Sequence, residues 1–205
     1  KALQEKDILL REIHHRVKNN LQMISALLYL HGKSLDDTPA QAALMESQNR
    51  VQSMAIIHQN LYQQENLLGV GVQEYLDKLI HHLIDSYNIE KDRIEIYKRI
   101  EIQHLDVDTV IPLALIINEL ISNALKYAFR DGRKGVIHVN IEMVDGLIKL
   151  EVKDNGIGFP ETNAGGGNFG FKLIHILSER LGATLNINSD KGTSVTLLVP
   201  QIKAA

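Results

Sequence analysis

The N-terminal segment constrains the fold most, because its apolar side chains follow one narrow helical stripe. Successive members of the stripe are three or four residues apart: Leu10, Ile13, Val17, Leu21, Ile24 and Leu28. This spacing predicts an amphipathic helix over residues 1–31, about nine turns long. A helix with a single apolar face needs other helices to cover that face.

A second helix follows after a short polar turn. Gly32 is a typical C-terminal stop for the first helix, and Thr38 and Pro39 suit the N-cap and the first position of the next, predicted over residues 39–64. Its inward side chains are expected to be Leu44, Val51, Met54, His58 and Leu61. Two long helices joined by a short turn form an antiparallel hairpin, and we expect residues 1–67 to dimerise into a four-helix bundle.

The pattern changes after Gly69 and Gly71 to a mixture of helices and strands. Helices are predicted over residues 72–87, 106–129 and 169–181, and strands over 94–102, 135–143, 147–153, 184–188 and 194–199. Asp145-Gly146 predicts a tight hairpin between two of the strands. The chain is therefore expected to be α+β, with residues 68–205 forming an α/β sandwich: helices on one face of a largely antiparallel sheet.

Composition excludes several classes of function. The 205 residues contain no cysteine, so disulfides, thiolate metal sites and a cysteine nucleophile are excluded. The formal net charge of -3 gives no reason to expect nucleic acid as a partner. The longest apolar runs are shorter than the roughly 20 residues of a membrane span, so we expect no membrane segment here and a cytoplasmic location, although a longer protein could be membrane-anchored.

A polar cluster interrupts the apolar helix predicted over residues 106–129. Glu119, Asn123, Lys126 and Tyr127 are spaced by four, three and one residues, which places them close to one face of the helix. Burying such groups is unfavourable unless a ligand such as Mg²⁺ and phosphate supplies partners. The alternative is a solvated polar stripe on a surface helix.

Two glycine-rich segments follow. Asp154-Asn155-Gly156-Ile157-Gly158 closes a strand, where a carboxylate can accept a hydrogen bond from an amino group and glycines let the backbone approach a flat ligand. Gly165 to Gly170 leads into a helix whose first amides could face anionic oxygens. Taken singly, these segments could also be a tight turn and a flexible linker.

In this order and spacing, the three segments resemble the N, G1 and G2 boxes of the ATP-binding domain shared by histidine kinases, gyrase and MutL. The resemblance implies ATP and Mg²⁺, with Mg²⁺ on Asn123, phosphate on Lys126, the adenine amino group on Asp154 and a catalytic carboxylate at Glu119. The remaining residues that it places at the nucleotide are Tyr127, Gly156, Gly158, Phe169, Gly170 and Thr193, the last beside the adenine-binding aspartate. Asn168 replaces a glycine common in the G2 box, and residues 160–165 leave room only for a short lid.

The first helix contains a histidine pair, His14-His15. His14 lies about 60° from the centre of the apolar stripe and His15 about 160°, so His15 should be exposed. Glu12, Lys18 and Asn19 surround His15 at helical spacing.

Residues 10–22 resemble the H box of histidine kinases related to the HWE group, which have H-R-V-K-N-N. The resemblance makes His15 the phosphoacceptor. Commoner kinases have an acidic residue directly after the acceptor, where this chain has Arg16. The orienting or base role therefore moves to Glu12 or Asn19, or is lost.

Together these motifs predict a histidine kinase core that autophosphorylates on His15 with ATP and passes the phosphoryl group to an aspartate of a response regulator receiver domain. We expect a homodimer formed through the hairpin and a sensor domain before Lys1. Two alternatives are an ATPase or serine kinase of the same superfamily, and a degenerate scaffold that only binds nucleotide.

Overall fold

A computed structural model describes residues 2–63, 70–87, 89–90, 93–158 and 169–201. Within these ranges, the side chains of residues 2–11, 14–15, 57–63, 70 and 131 are outside the description. The remainder forms a helical hairpin followed by an α/β sandwich, which confirms the predicted α+β class.

The hairpin consists of α1 (Ala2–Ser34) and α2 (Thr38–Gln63). Helix α1 continues two residues beyond Gly32, so the predicted stop is slightly early. A Cβ at Gly32 would lie 3.8 Å from the Cβ of Leu44, an ordinary packing distance, so the glycine lies where the two helices pack together. Tertiary packing of this kind offsets the cost of a helical glycine, about 1 kcal/mol.

The sandwich contains three α-helices and two sheets within the described residues. Its elements are β1 (Val70–Gly71), α3 (Val72–Ser86), β2 (Ile94–Ile100), β3 (His104–Leu105), α4 (Val107–Asn123), β4 (Gly135–Val144), β5 (Leu147–Asp154), α5 (Phe169–Arg180), β6 (Thr184–Asn188) and β7 (Ser194–Pro200). The larger sheet has the order β2-β4-β5-β7-β6, parallel only between β2 and β4. The two-residue strands β1 and β3 pair antiparallel and were not predicted, because they are too short for a periodic pattern.

Alternate side chains of the central strands form the core with the helices. Ile137, Ile148 and Val195, on three neighbouring strands, are at most 2% exposed and pack with residues of α3, α4 and α5. Burial on one side of the sheet explains the alternation in the sequence. The turn between β4 and β5 has positive φ at both Asp145 and Gly146, which confirms the predicted hairpin.

Helix α4 is the central helix of the sandwich. The stretch Val107–Ala128 is long and apolar enough to cross a membrane by length and composition, but 78% of its most apolar window is buried inside the protein. The helix predicted over residues 106–129 is present to Ala128, but its last turn is not α-helical. The chain changes to a π-helix over Ala124–Ala128 and then to a 3-10 turn over Arg130–Gly132, and π segments are frequent at functional sites.

Candidate functional site

The polar cluster of α4 is mostly buried, so its interpretation as a solvated surface stripe is wrong. Glu119 is only 3% exposed, and Asn123 is half-buried at the last residue of the helix. The π-helix then carries Lys126, mostly buried, and Tyr127, 39% exposed. The wider turn of the π-helix alters the face that the predicted α-helical spacing gave to these two residues.

Glu119 is paired with an arginine of the hairpin. The Nε and Nη2 atoms of Arg50 on α2 donate to its two carboxylate oxygens, at 2.6 and 2.8 Å. These hydrogen bonds raise the pKa of the Arg50 guanidinium against the opposing effect of burial. A two-point arginine–carboxylate pair fixes both position and orientation, so this contact joins the hairpin to the sandwich.

Glu46, one turn before Arg50 on α2, contacts two cations. One of its oxygens accepts a hydrogen bond from Nζ of Lys126, and the other lies 3.4 Å from Nη2 of Arg50. One turn after Arg50, the hydroxyl of Ser53 donates to Oδ1 of Asn118 at 2.7 Å, and both residues are at most 1% exposed. Side chains on three consecutive turns of α2 thus contact α4 and the π-helix.

Asn123 has a buried polar atom for which the described residues provide no partner. Its Nδ2 is buried and makes no hydrogen bond there. A Cβ at Gly170, in the first turn of α5, would lie 2.8 Å from Oε2 of Glu119 and 3.6 Å from this Nδ2, so a larger residue there would require the Glu119 side chain to shift. The start of α5 therefore lies against the polar end of α4, and an unsatisfied amide fits a site that binds a polar ligand.

Asp154 lies at the end of β5 and is 5% exposed. Its Oδ1 accepts hydrogen bonds from the backbone N–H groups of Gly156 at 2.8 Å and Thr193 at 3.2 Å. Burial raises the pKa of Asp154, while these hydrogen bonds act in the opposite direction. The backbone carbonyl of Thr193 also accepts a hydrogen bond from the backbone N–H of Asp154 at 2.8 Å, so the two residues lie side by side as expected.

The segment after Asp154 is attached to the π-helix. The backbone N–H of Ile157 donates to the carbonyl of Ala128 at 3.1 Å, and Gly158 adopts a φ of +69°. The three motifs are therefore adjacent: the segment after Asp154 contacts the π-helix, and Gly170 contacts the end of α4. Phe169 is 61% exposed, and its ring centre lies 4.8 Å from the guanidinium carbon of Arg50.

Some of the sequence predictions fall on residues that are not described. His14 and His15 lie on α1, but their side chains are outside the description, as are Asn168 and the short lid over residues 160–165. On the same helix, Glu12 and Asn19 are exposed, and Glu12 accepts a hydrogen bond from Nε of Arg16 at 2.8 Å.

A cavity lies elsewhere, between the end of the hairpin and α3. Its volume is ≈ 470 Å³, and its lining includes Tyr29, Met45 and His82 but none of the residues predicted to bind nucleotide. Within the described residues, no group of three or more acidic or histidine side chains is arranged to hold a metal ion.

Comparison with known proteins identifies the family. Residues 12–87 match the model of a histidine kinase domain, and residues 108–203 match the model of the histidine kinase-, DNA gyrase B- and HSP90-like ATPases. The chain belongs to the histidine kinase family. It contains the core of a two-component histidine kinase, with a domain related to the HWE group and a gyrase-type ATPase domain, and the alternatives of a separate ATPase or serine kinase are not favoured.

The curated relatives are histidine kinases, and this chain spans only about half of their length. The sensor histidine kinase PdtaS of Mycobacterium tuberculosis is 32% identical over 98% of the chain, which spans 41% of that relative. Blue-light-activated histidine kinase 2 of Erythrobacter litoralis is 28% identical over 96% of the chain. The solved histidine kinase domain of the Erythrobacter litoralis EL346 blue-light activated kinase has a TM-score of 0.69, with 25% identity, covering 96% of this chain and 93% of that domain.

Glu46 and Arg50 are residues that the sequence reasoning missed. They are four apart on a helix with mixed polarity, and such a pair is ordinarily a surface ion pair. Their roles depend on the packing of α2 against a helix that lies more than sixty residues further along the chain. No local pattern distinguishes them.

Proposed function

We propose that this kinase core autophosphorylates His15 with Mg²⁺-bound ATP and transfers the phosphoryl group to an aspartate of a response regulator receiver domain. The observation that carries the proposal is the buried Nδ2 of Asn123, which has no hydrogen-bond partner among the described residues and lies near the start of α5 in an ATPase-type domain. A polar atom left without a partner in such a place fits a ligand that arrives from solution.

Under this proposal, the adenine amino group donates to the carboxylate of Asp154, beside Thr193. Lys126 contacts the phosphates, and Asn123 offers an amide oxygen to Mg²⁺, a hard cation that takes few protein ligands together with phosphate oxygens. When bound, Mg²⁺ neutralises part of the charge on the phosphates. The other residues proposed to line the site are Tyr127, Gly156, Gly158, Phe169 and Gly170.

The phosphoryl transfer forms one bond and breaks another. A neutral imidazole Nε2 of His15 attacks the γ-phosphorus in line, forming a P–N bond, while the P–O bond to ADP breaks and ADP leaves. The imidazole then loses its Nδ1 proton. Glu12 is at helical spacing to accept that proton, and the side-chain oxygen of either Glu12 or Asn19 can orient the ring by accepting a hydrogen bond from Nδ1–H. Glu12 can leave Arg16 for this purpose, because an exposed pair of this kind contributes at most about 1 kcal/mol.

Glu119 is the remaining candidate for a catalytic carboxylate. In this conformation both of its oxygens bind Arg50, so it is not available as a base. Its participation would require α2 to move relative to the ATP-binding domain.

We further propose that residues 1–67 form the dimerisation and phosphotransfer hairpin and residues 68–205 the catalytic domain. Helix α1 exposes several large apolar side chains that a second copy could cover in a four-helix bundle: Ile13, Met23, Ile24, Leu27 and Leu30. For the whole protein, we propose that a sensor domain controls the kinase activity and that this core lies in the cytoplasm, where ATP is available.

The test is incubation with γ-labelled ATP and Mg²⁺, followed by acid and base treatment. The wild type should acquire label that is lost in acid and retained in base, as expected for phosphohistidine. His15→Gln should acquire none, while the matched variant His14→Gln should be labelled. Label retained by His15→Gln and absent from His14→Gln would contradict the assignment, and release of free phosphate without protein label would contradict the proposed function.

A further inference from the structure

Two cations meet one carboxylate at the contact between the hairpin and the ATP-binding domain. Glu46 accepts a hydrogen bond from Lys126 through one oxygen and lies 3.4 Å from Arg50 through the other. The side chains of Glu46, Arg50 and Lys126 are only 26%, 15% and 19% exposed. A partly buried oxyanion between an ammonium and a guanidinium has the surroundings that a phosphate group requires.

The contact is fixed by its neighbours along α2. The bidentate pair of Arg50 with Glu119 and the buried hydrogen bond of Ser53 with Asn118 hold the two helices in one register. The Glu46 carboxylate is therefore held at Lys126 by contacts in which it takes no part. An ordinary surface ion pair has no such support.

The charges of this cluster balance. Arg50 and Lys126 contribute two positive charges, and Glu46 and Glu119 two negative ones. A neutral cluster offers little attraction to a triphosphate, whereas without the Glu46 carboxylate the same side chains would have a net positive charge. The ammonium of Lys126 has three donors, but a phosphate bound to it would lie beside the Glu46 carboxylate, and the repulsion between these two anions opposes binding of both at once.

We propose that Glu46 is an internal competitor of the nucleotide phosphates, which occupies Lys126 in the empty site and is displaced when a triphosphate binds. The inference rests on the proposed role of Lys126 in phosphate binding. Glu46 would thereby couple nucleotide binding to the hairpin, since the side chain that leaves Lys126 belongs to α2. It would also make the affinity for the triphosphate, but not for the nucleoside, depend on an α2 residue.

The experiment compares the binding of Mg²⁺-AMP-PNP and of adenosine by isothermal titration to the full chain. Glu46→Gln keeps the size of the side chain and removes its charge, so AMP-PNP should bind about tenfold more tightly while adenosine binding is unchanged. Glu142→Gln is the matched control, because it breaks another glutamate–lysine pair, with Lys149 on the sheet. It should change neither affinity.

A double-mutant cycle with Lys126→Gln separates this inference from the proposed function. Lys126→Gln should weaken AMP-PNP binding, and adding Glu46→Gln to it should produce a smaller gain than in the wild type, because the charge of Glu46 is removed but there is no competition for Lys126 to relieve. If Lys126→Gln leaves AMP-PNP binding unchanged, both the phosphate role of Lys126 and the competition are overturned. If it weakens binding but Glu46→Gln alone gives no gain, or an equal gain for adenosine, only the competition is overturned. If Glu46→Gln fails to fold, Glu46→Asp replaces it in the experiment, because its shorter carboxylate reaches Lys126 less well. Glu46→Asp should show a smaller gain in AMP-PNP affinity, and the absence of that gain would overturn the proposal.

Discussion

Replacing Gly192 by alanine tests how the loop before β7 supports Asp154. Gly192 has a φ of +86°, and a Cβ there would lie 2.0 Å from the carbonyl oxygen of Asp154. That oxygen belongs to the backbone beside the Thr193 hydrogen bond, so it cannot turn away as the end of a flexible side chain could. One of the two backbones must therefore move by more than 1 Å to restore an ordinary contact of about 3.5 Å.

The magnitude has two parts. Alanine in the left-handed region costs about 1–2 kcal/mol, and a steric clash in a packed region adds about 1–3 kcal/mol. Gly192→Ala should therefore lower the free energy of unfolding by about 2–5 kcal/mol. Gly182→Ala is the matched control, because Gly182 has a φ of +60° and no atom within 4 Å of the added Cβ. Gly182→Ala should lower the free energy of unfolding only by the cost of the left-handed backbone, about 1–2 kcal/mol.

The assay is urea denaturation of the three proteins, followed by adenosine titration of those that fold. If Gly192→Ala folds, displacement of the Asp154 backbone should also weaken adenosine binding, whereas Gly182→Ala should bind like the wild type. The reasoning is refuted if the two variants lose the same free energy of unfolding, since the clash would then contribute nothing.

Three further outcomes are expected. Burial raises the pKa of Asp154, and its ionised form is the one that would accept a hydrogen bond from an amino group. As the pH is lowered, adenosine affinity should therefore begin to fall at a higher pH than an ordinary aspartate would give. Asp154→Asn should bind adenosine weakly, and the only remaining pH dependence should be the titration of adenine itself. Asp106 caps α4 by accepting the N–H and hydroxyl of Thr109 at 2.8 and 2.7 Å, so Asp106→Ala should cost about 1 kcal/mol in urea denaturation, and no loss would mean that the cap contributes nothing. Ser53→Ala leaves the buried Oδ1 of Asn118 without its hydroxyl donor and should lower the free energy of unfolding by about 1–3 kcal/mol. If hydrogen exchange showed a loss of protection in the hairpin alone, the joint packing of the two domains would be contradicted.

Local patterns were sufficient to predict most of the secondary structure. The alternating residues of β4 and β5 and the Asp145-Gly146 turn between them predicted the hairpin, because one face of each strand is buried and the turn requires two positive φ angles. Asp154 and Thr193 were expected to be neighbours from the motif resemblance, and their backbones are hydrogen-bonded. Which helix face carries His15 stays a prediction.

Other features depended on long-range packing. The π-helix at Ala124–Ala128 follows a segment with an ordinary apolar pattern, and nothing in its sequence distinguishes it from the α-helix before it. The strands β1 and β3 pair although more than thirty residues of chain separate them. Each has only two residues, which is too short for a sequence pattern of its own.

The sequence by itself determined the longer helices and strands, the glycine-rich and polar motifs and the family, because these depend on periodicity and on residues close together in the chain. Tertiary structure alone decided that Glu119 is buried against Arg50 and that Glu46 occupies Lys126. A carboxylate four residues from an arginine has the same local pattern whether it faces water or another domain. Only the docking of α2 on α4 and the π-helix brings these charges together, and their low exposure strengthens the interactions between them.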